Sequence, residues 1–193
     1  MESQEGEMEI SGFETERLIV RPWRAVLVDP ASVATFELAL LANLKPQTVR
    51  HLPPEMQPGL GRIGSVRDAI ADWFAERIEE GEVMLVKSKA SGTQIGLLML
   101  TTPGATDDST VLNIHYVLSE RHWGEGIATE LVMGLIAAVG DQGPLRLSSD
   151  VGHEHAASVR VLSNAGFHRD DRHSSGGTGH FIRDLPSRRS FLH

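Results

Sequence analysis

Apolar residues recur along this chain with two periods, every second residue in some stretches and every third or fourth in others. Their order predicts a mixed α/β protein. The sharpest change of period lies within residues 110–139. Leu112, Ile114, Tyr116 and Leu118 alternate with Val111, Asn113, His115 and Val117, which predicts a strand with two distinct faces. From Ile127 to Val139 apolar positions run nearly all round a helix, which predicts burial on most sides. Earlier in the chain, residues 17–23 read as a strand ending at Pro22, and Asp29-Pro30 as a cap and first turn of a helix reaching about Leu44. Residues 45–64, rich in proline and glycine, predict a long loop. Ser65 to Asp68 resembles a capping box, and Val66, Ile70, Trp73, Phe74 and Ile78 mark one face of the helix that follows, closed by Gly81. Residues 82–89 and 94–102 predict a hairpin. Residues 145–149, 167–172 and 180–185 predict strands, and 155–165 a helix. A single domain over residues 12–186 is expected, between a disordered tail at 1–11 and a short C-terminal tail at 187–193.

Between the central strand and helix stands Arg121-His122-Trp123-Gly124-Glu125-Gly126. A glycine-rich turn that opens a helix suits an anion, because the first helical N–H groups lack internal partners and carry the positive end of the helix dipole. A Walker loop would end in Gly-Lys-Ser/Thr, and Ile127-Ala128 stands there instead; a dinucleotide fingerprint would need glycine where Thr129 is.

What remains is Arg-x-x-Gly-x-Gly-x-Ala from Arg121 to Ala128. It resembles the pyrophosphate loop of the GNAT superfamily of acyl-CoA-dependent N-acyltransferases. Residues 116–119 lead into it as that family's fourth strand does, residues 158–167 resemble its second cofactor-side helix, and residues 15–23 are similar to the first strand of the RimJ/RimL-like branch, named for enzymes that acetylate the N-termini of ribosomal proteins. The resemblance covers about residues 13–185. It implies a GNAT fold, with a curved, largely antiparallel sheet that splays at the acetyl-CoA site and helices on its flanks. It also implies that backbone N–H groups of His122, Trp123, Gly124, Glu125, Gly126, Ile127 and Ala128 cradle the pyrophosphate, with Arg121 adding charge. Val117, Leu118 and Ser119 would meet the pantetheine arm, and an N–H near Val117 would face the oxyanion. The loop after the first helix would shape the acceptor pocket.

Composition narrows the chemistry. The 193 residues contain no cysteine, which excludes a disulfide framework, thiolate ligands and a cysteine nucleophile. Acetyl transfer is therefore expected to be direct, within a ternary complex. A net charge of −8 argues against nucleic-acid or anionic-membrane partners and suits a cationic acceptor such as an amine. No apolar run approaches the roughly 20 residues of a membrane span, and a soluble, cytoplasmic protein is expected. A homodimer is compatible with the apolar Phe191-Leu192 in the tail.

Candidate catalytic residues are Asn113, His115 and Ser158. Many members of the superfamily carry a glutamate base on the fourth strand, and Asn113, which accepts no proton at neutral pH, stands at that place. His115 lies two residues on, on the same face, and its reference pKa of about 6.5 suits a base. Ser158 occupies the place of a Rim-type serine that protonates the departing thiol, and it is assigned to the cofactor side as well. His155, where asparagine is common, joins the cofactor-side residues. With His153 it forms a His-x-His pair, but two histidines without a third ligand do not make a metal site, and none is expected. The acceptor expected from this set is an α-amino group at a protein N-terminus. A small-molecule amine, amino acid or antibiotic, or acyl-CoA binding without catalysis, are the alternatives.

Overall fold

The computed structural model describes residues 10–50, 52–53, 56–58, 66–102, 105–106, 109–142, 144–152, 154–174 and 177–186. The strands are β1 (Phe13–Glu14), β2 (Leu18–Pro22), β3 (Glu82–Ser88), β4 (Gln94–Thr101), β5 (Ala105–Thr106), β6 (Ser109–Leu118), β7 (Leu145–Gly152), β8 (His168–Arg169) and β9 (Thr178–Leu185). The helices are α1 (Trp23–Val26), α2 (Pro30–Asn43), α3 (Pro46–Val49), α4 (Val66–Glu80), α5 (Ile127–Val139) and α6 (Ala156–Asn164). One sheet runs in the order β1-β2-β3-β4-β6-β7-β9-β8, with β5 paired to β6. Every pairing is antiparallel except β6 with β7.

Two apolar layers grip this sheet, and strand alternation sorts the residues between them. Met84, Val86, Leu98, Leu100, Leu112 and Ile114 face Leu131, Leu135 and Val139 of α5 and Leu162 of α6. Val83, Leu85, Leu97, Met99 and Val117 face Phe36 and Leu40 of α2 and Ile70 and Trp73 of α4. β3 and β4 are buried on both faces, which is why they read as continuous apolar runs rather than alternating ones. α5 is less enclosed than its sequence suggests: it buries one face, and Met133 on the other is 45% exposed.

Most predicted boundaries match. α2 starts where Asp29 accepts from the N–H groups of Ala31 and Ser32, at 2.9 Å each, with Pro30 in the first turn. Those bonds, the one from Ser32 first, hold the Asp29 carboxyl below its usual range. Gly81 follows α4 for a different reason from a left-handed cap: a Cβ there would lie 2.1 Å from the Leu100 carbonyl oxygen. The predicted loop contains α3, started by Pro46 in its first turn. β7 extends to Gly152, beyond the predicted 149, because β9 pairs with it along its whole length. The strand predicted over 167–172 shrinks to β8, because the Asp170 carboxylate takes the N–H of Arg172 and bends the chain away. Ser65, His153, Phe191 and Leu192 lie outside the described residues, as do residues 1–9 and 187–193. No described helix is long and apolar enough to cross a membrane.

Candidate active site

β6 and β7 run parallel from the Thr110–Leu145 pair to the Asn113–Ser148 pair and then part. β6 continues to Leu118 against β4 alone, and β7 continues to Gly152 against β9 alone. The Ser148 hydroxyl donates to the Asn113 side-chain oxygen at the apex of this split.

The ladder decides which backbone groups face the split. Ser119 donates its N–H to the Ile95 carbonyl at 2.8 Å, and outward and inward groups alternate along an antiparallel pair. Val117 and His115 therefore turn their N–H and C=O toward β4, while Tyr116 and Leu118 turn theirs into the split. The backbone N–H groups near Val117 that face the split are those of Tyr116 and Leu118. The Leu118 carbonyl accepts from the Trp123 indole N–H at 2.9 Å, which ties the turn to the strand end. Ser119 closes the strand instead of facing the split: its carbonyl takes the His122 N–H at 2.9 Å.

After a single 3₁₀ turn at Glu120–His122 the chain reaches Gly124 and Gly126, with φ of 77° and 78°. Left-handed backbone of this kind favours glycine. Apart from its two chain neighbours, no atom of the described residues lies within 4 Å of where a Cβ on Gly124 would stand. α5 starts immediately, so its first N–H groups, which have no carbonyl within the helix to bind, open onto the same space. That space is a cavity of about 590 Å³. Of the residues expected at the site, Val117, Leu118, His122, Trp123, Gly124, Gly126, Ile127, Ala128, His155 and Ser158 line it. Asn113, His115, Ser119, Arg121 and Glu125 do not. Arg121 is exposed on the 3₁₀ turn, and Glu125 turns outward, its carbonyl accepting from the Arg17 guanidinium at 2.9 Å and its carboxylate 3.5 Å from His122 Nδ1. His115, half-buried, stands on the opposite sheet face from Tyr116.

Two further polar groups reach the cavity. Tyr116 donates its hydroxyl to Ser158 Oγ at 3.3 Å, and burial pushes its phenol up to about 12, so it stays a donor at any physiological pH. Thr48 on α3 is only 3% exposed, and its hydroxyl has no hydrogen-bond partner among the described residues. Strand alternation foretold the facing of Tyr116; nothing in a proline-rich stretch pointed to Thr48. Among the described residues no group of three metal-ligating side chains occurs.

A helix N-terminus, two left-handed glycines and a strand edge with free-facing amides fit a pyrophosphate followed by an amide-bearing arm. The family model described as an acetyltransferase (GNAT) domain matches residues 17–168. No curated protein matches the chain in sequence. Among solved structures, RimL, a ribosomal α-N-protein acetyltransferase bound to coenzyme A, superposes with a TM-score of 0.64 at 14% identity, covering 90% of this chain and 98% of its own. A ribosomal-protein alanine acetyltransferase from Vibrio fischeri gives 0.61 at 14% identity, over 92% and 97%. Spermidine N-acetyltransferase from Vibrio cholerae, with coenzyme A and spermine, gives 0.61 at 13%, over 89% and 97%. With the family model spanning most of its length, the chain belongs to the GNAT acetyltransferase family, and is an acetyl-CoA-dependent N-acetyltransferase.

Proposed function

We propose that this acetyltransferase acts on an α-amino group, most simply the N-terminus of a protein. The observation that carries the reading is Asn113. It stands where many relatives hold a glutamate base, and here its side chain is engaged by Ser148 at the apex of the split. An acceptor that sheds its proton easily suits such a site. An α-amine with a pKa near 8 costs about 1.4 kcal/mol to deprotonate at pH 7, whereas a lysine amine near 10.4 costs about 4.6 kcal/mol. The net charge of −8 favours a cationic acceptor. RimL is α-N-type by name and the Vibrio fischeri enzyme is by name a ribosomal-protein alanine acetyltransferase, but the spermidine enzyme shares the fold, so the fold alone does not choose.

In this reading the amides from Gly124 to Ala128 hold the pyrophosphate of acetyl-CoA, and the Leu118 N–H receives the thioester oxygen as it gains charge. The Ser158 hydroxyl, backed by the Tyr116 phenol, gives its proton to the departing thiolate. The test is release of free CoA thiol with four acceptors: lysine-free peptides with an open N-terminus, N-blocked peptides with one lysine, free amino acids, and polyamines. The open peptides are expected to give kcat/KM at least about tenfold above the others, a difference of about 1.4 kcal/mol. Preference for polyamines or blocked lysine peptides would overturn the reading.

A further inference from the structure

The reading above leaves the amine without a base, and the open face of the split supplies one. Asn113 and Ser148 form the last pair of β6 and β7, and side chains alternate along each strand, so His115 and Asp150, two places further on, stand on that same face as the strands part. This is the face of Val117 and Met99, away from α5 and α6. On β9 the register partner of Asp150 is His180, and His180 Nδ1 lies 2.7 Å from Asp150 Oδ1. The two side chains are 21% and 43% exposed, within reach of solvent without being loose in it.

An ionised carboxylate at Nδ1 requires the hydrogen to sit on that nitrogen, which leaves the lone pair on Nε2. No hydrogen bond among the described residues engages Nε2. The Ser174 hydroxyl accepts from the His180 backbone N–H at 3.1 Å, and the His173 ring meets the His180 ring edge-on with centroids 5.8 Å apart. An oriented histidine backed by a carboxylate is the arrangement a general base requires.

We infer that His180 accepts the proton of the incoming ammonium and that Asp150 is its positioning residue. The inference rests on the reading that an amine meets the thioester in the split. His180 stands one strand further from the split than Asp150, so the proton reaches it through water. The ammonium N–H breaks, its electron pair stays on nitrogen, and the proton passes through water to Nε2. The nitrogen pair then forms the bond to the acetyl carbon, the carbon–sulfur bond breaks, the thiolate takes a proton from Ser158, and the serine oxygen regains one from the second N–H that the new amide nitrogen gives up.

Among the described residues the titratable groups around His180 are Asp150 on β7, His173 and Asp170 on the segment after β8, Arg172 bound to Asp170 at 3.1 Å, and His115 across the split. Further down the same face Arg146 and Asp184 neutralise each other at 2.6 Å. The test is the dependence of kcat/KM on pH, from about 6 to about 10, for the whole protein and for His180→Gln and Asp150→Asn, with an open N-terminal peptide. His180→Gln is expected to lose about 10²-fold at pH 7 and to recover as pH rises and the amine loses its proton unaided. Asp150→Asn is expected to lose about tenfold and to move the acidic limb of the profile to lower pH, because the imidazolium loses its carboxylate. Acetyl-CoA affinity by calorimetry is expected to stay within about twofold in both, since neither side chain lines the cofactor cavity. Wild-type kcat/KM in His180→Gln, or a loss equal at every pH, would overturn the inference. A wild-type protein that releases no CoA with any amine would overturn the acetyltransfer reading itself, a separate outcome.

Discussion

Glu130, in the first turn of α5, binds Arg17 three residues outside β1. Its carboxylate accepts from the Arg17 backbone N–H at 2.8 Å and from Arg17 Nε at 2.5 Å, and from the Thr15 hydroxyl at 2.5 Å. The same guanidinium donates to the Glu125 carbonyl, so the start of the chain braces the glycine turn from behind. Burial raises the Glu130 carboxyl, but the bonds from Thr15 and Arg17 outweigh it and hold the group below its usual range. A depressed carboxylate contributes stability above its unfolded pKa, and that stability is lost as pH falls through the folded value. Glu130→Gln is therefore expected to lower stability at pH 7 by about 1–2 kcal/mol, discounted because Arg17 is 44% exposed, and to flatten the acid side of the stability curve. Urea unfolding at a series of pH values below neutrality checks both effects.

Gly126→Ala tests the turn itself. Among the described residues beyond its chain neighbours, the new methyl would approach only Arg17 Nη2, at 3.6 Å, so the cost is the left-handed backbone, about 1–2 kcal/mol, rather than a clash. The variant is expected to stay folded and to bind CoA about tenfold more weakly, measured by calorimetry.

Ser158→Ala removes the proposed thiol-side acid from a site where Tyr116 points at it. A kcat reduced about 10- to 10²-fold is expected, with CoA affinity nearly unchanged. Tyr116→Phe should lose less, because the serine hydroxyl remains. Single-turnover kinetics separates the chemical step from product release.

Thr48→Val offers a sign that a structural role alone would not give. The hydroxyl is buried and unpaired among the described residues, so replacing it with a methyl should leave the protein as stable or more stable, by up to about 1 kcal/mol. The KM for the amine should rise several-fold if that hydroxyl faces the acceptor. Thermal unfolding and initial rates are the two readouts.

Much of this was legible in the sequence because it is local. The strand-to-helix change at residues 110–139, the glycine turn and the Asp29 cap each depend on neighbours in the chain, and the structure has them within a residue or two. What escaped is what only tertiary pairing creates. Asp150 and His180 lie 30 residues apart and meet because β9 returns antiparallel to β7. Thr48 reaches the cavity because α3 packs on β6 inside what reads as a proline-rich loop. The facing of Val117 and Leu118 differs because ladder register, not composition, aims a backbone amide.

The central claim is that the turn after β6 and the first N–H groups of α5 hold the diphosphate of acetyl-CoA. Backbone ¹⁵N–¹H spectra of the whole protein, titrated with CoA, test it directly. The amides of Gly124, Gly126, Ile127 and Ala128 are expected to shift together and saturate with one binding constant, while those of α2 and α4 stay in place. Saturable binding of CoA that leaves these four amides unmoved, or no binding by folded protein, would contradict the account.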